Sequence, residues 1–211
     1  MIYREIAESE MEGLRARVCP LMSEKRYLHT LAVEEMAARL SDLYCPDKKI
    51  KLRAAALLHD ITKELTVDEH VTICRESGVT LIPEDYAAPK TFHARTAAIL
   101  IPRKFSEFAD VEIINAVRYH TTGCAYMTLA EKIIYLSDYI DDTREHWDCI
   151  KLRNMFWDAE PEKMSPEERL RHLDIVVLEA INMSINSLIE ERRIISCDTV
   201  EARNSLLLNI K

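Results

Sequence analysis

Glycine is nearly absent: 3 occur in 211 residues. Hairpins and bulges draw on glycine for positive φ, so the chain is poorly suited to a sheet-rich fold and an all-α fold is expected. The same scarcity removes every glycine-rich phosphate loop, and neither G-x-x-x-x-G-K nor G-x-G-x-x-G occurs. Phosphate, if bound, must be held by cations, a metal or helix termini. Paired cysteines are also lacking. Cys19, Cys45, Cys74, Cys124, Cys149 and Cys197 are scattered with no C-x-x-C. That argues against a zinc knuckle or a disulfide framework and for reduced thiols in the cytoplasm. A formal charge of −8 disfavours broad binding to a nucleic-acid polymer or an anionic membrane, though not a local basic pocket. No uninterrupted apolar run of about 18 residues appears, the length expected of a membrane span. The charged N-terminus MIYREIAESEMEGL lacks the apolar core of a signal peptide.

What is present is helical patterning. With 48% hydrophobic and 30% charged residues the composition is that of a globular chain. One domain is expected, its core over about 20–145, with a helical extension over about 165–211. Residues 3–18 read as a first helix; Ser23 caps a second over 24–44, and Asp47 a third over 48–60. Thr66 and Glu69 form a capping box for a helix to Glu76, ended by Gly78. Residues 79–90 read as a loop, and 91–101 as a helix stopped by Pro102. Asp110 caps 111–120, with Val111, Ile114 and Val117 on one face, and Gly123 suits a left-handed stop. Thr128 and Glu131 open a helix over 129–141, and the stretch 144–165 is irregular. Ser165, Pro166 and Glu168 start a long helix to Arg192 with Leu170, Leu173, Val177, Ile181, Ile185 and Leu188 as its spine. A short helix from Thr199 closes the chain.

Four of the seven histidines sit on or at the ends of apolar helices: His29, His59, His93 and His120. His70, His146 and His172 lie in polar surroundings and are expected on the surface. Asp60 follows His59, and Asp138 falls on a helix face that should be buried, where a carboxylate needs a compensating partner. Side chains converging from several helices are a recurrent way to build a metal site. One ion could be held by His29, His59, Asp60 and Asp138, with His93 and His120 facing substrate. Alternatively, two ions could share Asp60, with His93 and His120 on the second. Nitrogen and carboxylate donors without cysteine suit Fe or Mn better than structural Zn. Water on such an ion is acidified, which points to metal-assisted hydrolysis. Lys63, Arg26 and Arg144 carry charge suited to phosphate, although any one of them alone reads equally as a solvated surface cation. Thr121 and Thr122 offer hydroxyls, or simply turn chemistry.

This series resembles the HD superfamily of metal-dependent phosphohydrolases, an all-helical bundle. The segments Arg26-Tyr-Leu-His29, Ala56-Leu-Leu-His59-Asp60-Ile-Thr-Lys63-Glu64, His120-Thr-Thr-Gly123, Lys132-Ile-Ile-Tyr-Leu-Ser-Asp138 and the tail from Ile194 to Asn204 resemble the YqeK-type family. The likeness spans about 20–208. It implies symmetrical bis(5′-nucleosyl)-tetraphosphatase activity, diadenosine tetraphosphate yielding two ADP. It also implies an iron centre of one or two ions, with manganese as the alternative, in a cytoplasmic enzyme; a homodimer is expected. His29, His59, Asp60 and Asp138 are then metal ligands. Asp60, Lys63, His93 and His120 carry the chemistry. Arg26, Lys63, Glu64, Thr121, Thr122 and Arg144 contact the substrate. Ala94 follows His93, and Asp142-Thr143 precedes Arg144, where the family has other residues; both lie at the nucleotide-contacting periphery. Another HD-type nucleotidase, a deoxynucleoside-triphosphate hydrolase and a non-catalytic nucleotide sensor are the competing readings.

Overall fold

The run Ala54-Ala55-Ala56-Leu57-Leu58 is buried on every side, the pattern of a helix enclosed by others. In the computed structural model, which describes residues 6–210, it lies in the third of eleven α-helices. These are α1 (Glu8–Val18), α2 (Glu24–Tyr44), α3 (Lys49–Leu58), α4 (Val67–Glu76), α5 (Pro83–Ala87), α6 (Phe92–Lys104), α7 (Val111–Tyr119), α8 (Leu129–Ile140), α9 (Trp147–Trp157), α10 (Pro166–Glu190) and α11 (Cys197–Ile210). No strand occurs among the described residues. The short alanine side chains let α3 lie close against α2, with α1, α7 and α8 around it. Leu57 and Leu58 are fully buried, each stabilising by about 1.5–3 kcal/mol. Helices α9 and α11 pack on α10, which also covers α8 and one end of α2. A single buried apolar cluster runs from Ile6 to Leu206.

Capping chemistry sets most helix starts. Ser23 accepts from the Arg26 amide, and the boxes Thr66/Glu69, Thr128/Glu131 and Ser165/Glu168 all form. Gly78 and Gly123 adopt φ of 72° and 66°. At Gly123 a Cβ would meet the Ala202 Cβ at 2.8 Å, so close packing and backbone sign both require glycine there.

Several expectations are corrected. Asp47 caps nothing: Pro46 draws it into a 3-10 turn (Pro46–Lys48), and α3 starts at Lys49 without a side-chain cap. The loop 79–90 contains α5, because Pro83 suits a first helical turn and Asp85 accepts from the Ile82 amide at 3.0 Å. Pro102 lies inside α6. In the last turn it removes only one backbone bond, and the Phe105 amide still reaches Ile101 O at 2.8 Å. The stretch 144–165 holds α9, whose stripe Cys149, Leu152 and Phe156 was masked by the charges between. Val111 and Leu170 are exposed; α7 buries Ile113, Ala116 and Val117 instead, and α10 buries Val176 and Ala180 beside Leu173, Val177 and Ile181. Helix α10 ends at Glu190, and α11 begins at Cys197. The first helix starts at Glu8, and the part of its expected span over 3–5 lies outside the described residues. By length and composition α10 is apolar enough to cross a membrane, although charged and polar residues interrupt its sequence. Its apolar face is turned into the cluster.

Candidate metal centre

Five helices bring the six candidate ligands together. His29 projects from α2, His93 from the first turn of α6, and Asp138 from the last turn of α8. His59 and Asp60 occupy the turn leaving α3, and His120 caps the C-terminus of α7. The imidazoles point inward through Nε2. His59 Nδ1 lies 2.6 Å from Ala56 O and His120 Nδ1 2.7 Å from Val117 O. A carbonyl has no proton to give, so both Nδ1 atoms donate and each Nε2 presents a lone pair.

Those Nε2 atoms surround the Asp60 carboxylate. Oδ2 is 3.4 Å from His59 Nε2, while Oδ1 is 3.3 Å from His93 Nε2 and 3.6 Å from His120 Nε2. Asp138 Oδ1 stands 3.0 Å from His29 Nε2 and 3.9 Å from His59 Nε2. Two groups therefore have metal-site spacing, His29–His59–Asp138 and His59–Asp60–His120. Asp60 Oδ1, His29 Nε2 and His59 Nε2 are buried with no hydrogen-bond partner. Buried unsatisfied polar atoms are rare and costly, and three of them aimed at one volume fit a bound cation. His93 Nε2 adds a further sign. Lys63 Nζ, which can only donate, lies 3.0 Å away, so Nε2 accepts while also facing His120 Nε2 at 3.0 Å. Two lone pairs at that distance repel, and a cation between them would relieve the repulsion.

The protonation environment differs across the centre. Burial pushes the Asp60 carboxyl up, but His59, His120 and Lys63 overcome it and hold it well below the usual range. Burial and then Lys63 depress His93, and burial depresses His120. Both are thereby kept in the neutral form that ligates. Burial opposes charge on His29, yet Asp138 and Asp141 push it up to about 9. Arg144, partnered by Asp138, stays charged.

The periphery differs in detail from expectation. Arg26 Nη1 donates to Asp60 Oδ2 at 3.0 Å, and Arg144 bonds both the Asp138 side chain and its backbone carbonyl. Both arginines thus hold carboxylates of the candidate centre. Thr121 Oγ1 is 3.1 Å from His93 Nε2, whereas Thr122 gives its hydroxyl to Gly123 O. Glu64 is exposed and accepts from the Ser23 amide at 2.7 Å and its hydroxyl at 2.6 Å, tying the start of α2 to the α3 turn. His70 is buried, not on the surface: its Nδ1 meets Thr96 Oγ1 at 2.8 Å and its ring stacks on Phe92. His146 is exposed and His172 is half-buried. Asp141, to which the sequence reading gave no role, is fully buried, with Oδ2 3.4 Å from His29 Nδ1 and Oδ1 accepting from the Thr143 amide. A carboxylate behind a ligating imidazole fixes its orientation. Its spacing three residues after Asp138, at the end of an apolar helix, was the available signal.

Comparison with known proteins agrees with this geometry. The HD domain family matches residues 26–143. A symmetrical bis(5′-nucleosyl)-tetraphosphatase of Halalkalibacterium halodurans is 31% identical over 196 residues, 92% of this chain and 95% of the relative. One from Bacillus subtilis is 36% identical over 123 residues, 58% of this chain and 64% of that one. A crystal structure from Clostridium acetobutylicum, described as a predicted HD superfamily hydrolase involved in NAD metabolism, superposes with a TM-score of 0.79. It is 29% identical, with 94% of this chain and 97% of that one covered. With its six ligand candidates gathered from five helices, this chain belongs to the HD domain family, on the branch of the symmetrical bis(5′-nucleosyl)-tetraphosphatases.

Proposed function

We propose that the protein hydrolyses the central phosphoanhydride of diadenosine tetraphosphate, one water giving two ADP. The observation that carries this is the division of the Asp60 carboxylate, one oxygen toward His59 and the other toward His93 and His120. If metal is bound, His29, His59 and Asp138 would hold one ion and His93 and His120 a second, with Asp60 available to both. Bound there, iron, or manganese as the alternative, supplies Lewis acidity toward phosphate oxygens and an acidified water. The chain's own groups prepare the polyphosphate. Lys63, 32% exposed beside His93, offers a point charge at the mouth of the centre. Arg26 and Arg144 flank the other side, ready to exchange a carboxylate partner for phosphate oxygens. Thr121 presents its hydroxyl at the His93 edge. ADP leaves as a stable phosphate terminus, so no strong general acid is required. The reading includes a cytoplasmic setting, in keeping with six free cysteines. Chromatography of the products tests it: ADP alone supports the proposal, while AMP with ATP, or an uncut substrate, overturns it.

A further inference from the structure

Two cavities open on opposite ends of the Asp60 centre, and their linings differ in kind. One, about 410 Å³, reaches from Thr121 and Thr122 to α9 and α10. Its walls carry Tyr139, Trp147, Met183, Leu188 and Ile194, with hydroxyls such as Ser196 and charged groups such as Lys90 and Arg193 among them. The other, about 380 Å³, contains Lys25, Arg26 and Arg144 with His29, against the two carboxylates Glu64 and Glu145, and no phenyl, indole or branched aliphatic side chain. His146 lines both, so they meet at the rim of the centre. A purine needs a flat apolar wall and a few polar edges, and sites for small ligands occupy roughly 300–1,000 Å³. Trp147, 70% exposed, is an unused stacking surface of that kind. The second cavity offers a phosphate chain its cations, and its only flat faces are the His29 and His146 imidazoles and the guanidinium planes of Arg26 and Arg144, with no apolar wall behind them.

We infer that the enzyme reads a single nucleoside. The apolar cavity seats the base and ribose of one half of the substrate. The cationic cavity holds the phosphates of the other half and leaves its nucleoside unrecognised. This rests on the phosphoanhydride reading above and deepens it, because a symmetrical substrate is then held asymmetrically. The second nucleoside becomes dispensable. Adenosine 5′-tetraphosphate is cut at the same bond: the water oxygen joins one central phosphorus, the bridge to the other breaks, and ADP and pyrophosphate result. The hydrogens of the water end on the new phosphate termini or in solvent.

The test compares diadenosine tetraphosphate, adenosine 5′-tetraphosphate and inorganic tetraphosphate on the Mn(II)-loaded protein, together with calorimetric binding of ADP and pyrophosphate. The two nucleotides should have kcat/KM within about tenfold of each other, and inorganic tetraphosphate should fall about 100-fold below them. Trp147→Ala, at a mostly exposed position, should raise KM for both nucleotides and weaken ADP binding by about tenfold. Pyrophosphate binding and kcat should stay unchanged. Ser187→Trp, which narrows the same cavity, should act alike. Adenosine 5′-tetraphosphate cut about 100-fold more slowly than the dinucleotide would show that both nucleosides are read. Unchanged ADP binding in both variants would also overturn the inference. If neither nucleotide is cut, yet ADP binding depends on Trp147 and the dinucleotide binds no tighter than adenosine 5′-tetraphosphate, the hydrolytic reading fails and the single seat stands.

Discussion

The two ends of the Asp60 centre solve the problem of buried charge in opposite ways. At the His29 end, carboxylates face a cationic partner: Asp138 and Asp141 approach the imidazole, and Arg144 balances Asp138. This end carries its own countercharges, although His29 Nε2 and Asp141 Oδ2 still lack hydrogen-bond partners. At the His93–His120 end, two imidazole lone pairs crowd together beside Lys63 and share one carboxylate oxygen, Asp60 Oδ1, which has no hydrogen-bond partner. That arrangement is unfavourable until a cation enters. The difference assigns separate tasks. The first end is held largely by its own charge pairs, whereas the second would be completed by a bound ion. His59 and Asp60 join the two ends, Asp60 with Arg26 on Oδ2 and the unpartnered Oδ1 turned the other way.

Breaking the shared residue should have the largest effect. Asp60→Ala is expected to empty both ends by elemental analysis and to lower turnover by about 10³-fold or more, as removal of a metal's chemistry does. Chelation of the wild-type protein should act in the same direction, with activity restored by Fe(II) or Mn(II). Full metal content in Asp60→Ala would refute the idea of a shared centre. His120→Ala comes next, because its Nε2 reaches only the second end. It should lose about half of the bound metal and on the order of 10²-fold in kcat, with the His29 end still loaded. Loss of all metal would show that the ends do not fill separately.

The first end was more legible in the sequence than the second. His29, His59, Asp60 and Asp138 announced themselves because each interrupts an apolar helical stripe with a group that needs a partner. His93 and His120 did so too, but which oxygen of Asp60 they face depends on how α6 and α7 meet, and spacing within one helix does not encode that. The helix starts were readable wherever a side chain does the capping, as at Ser23, Thr66, Thr128 and Ser165. Where side-chain capping is absent they were less so: α3 was placed within a residue of its start but given the wrong cap, and α9 was missed. His70 was misjudged for a related reason. Its polar neighbours in sequence say nothing of Thr96 and Phe92 on α6, which bury it. The apolar cavity escaped notice because its walls come from α8, α9, α10 and the segment after α10, far apart along the chain.

A smaller change should sharpen the contrast by acting on the first end alone. Asp141→Asn preserves the shape of the C-cap and the contact with the Thr143 amide but removes the charge behind His29 Nδ1. Loss of such a supporting partner typically costs 10–100-fold in metal affinity. The expected outcome is weaker binding of one ion in a competitive chelator titration, with the His93–His120 end unaltered. Equal weakening of both ions would mean that Asp141 supports the fold of the whole centre rather than one imidazole.

The smallest effect is expected from Thr121→Val. Its hydroxyl lies 3.1 Å from His93 Nε2, at the second end only, and valine keeps the branched shape. A single hydrogen bond of this kind is worth about 1 kcal/mol, or roughly fivefold in rate if it is made in the transition state. Two outcomes separate its roles. If the hydroxyl faces the substrate once an ion has taken His93 Nε2, metal content stays the same and kcat falls by up to about fivefold. If instead it holds the His93 ring in place, affinity for the second ion drops and added metal restores the rate. The first outcome is expected, because an ion bound at Nε2 leaves the hydroxyl without its present partner and Thr121 lines the cavity next to it.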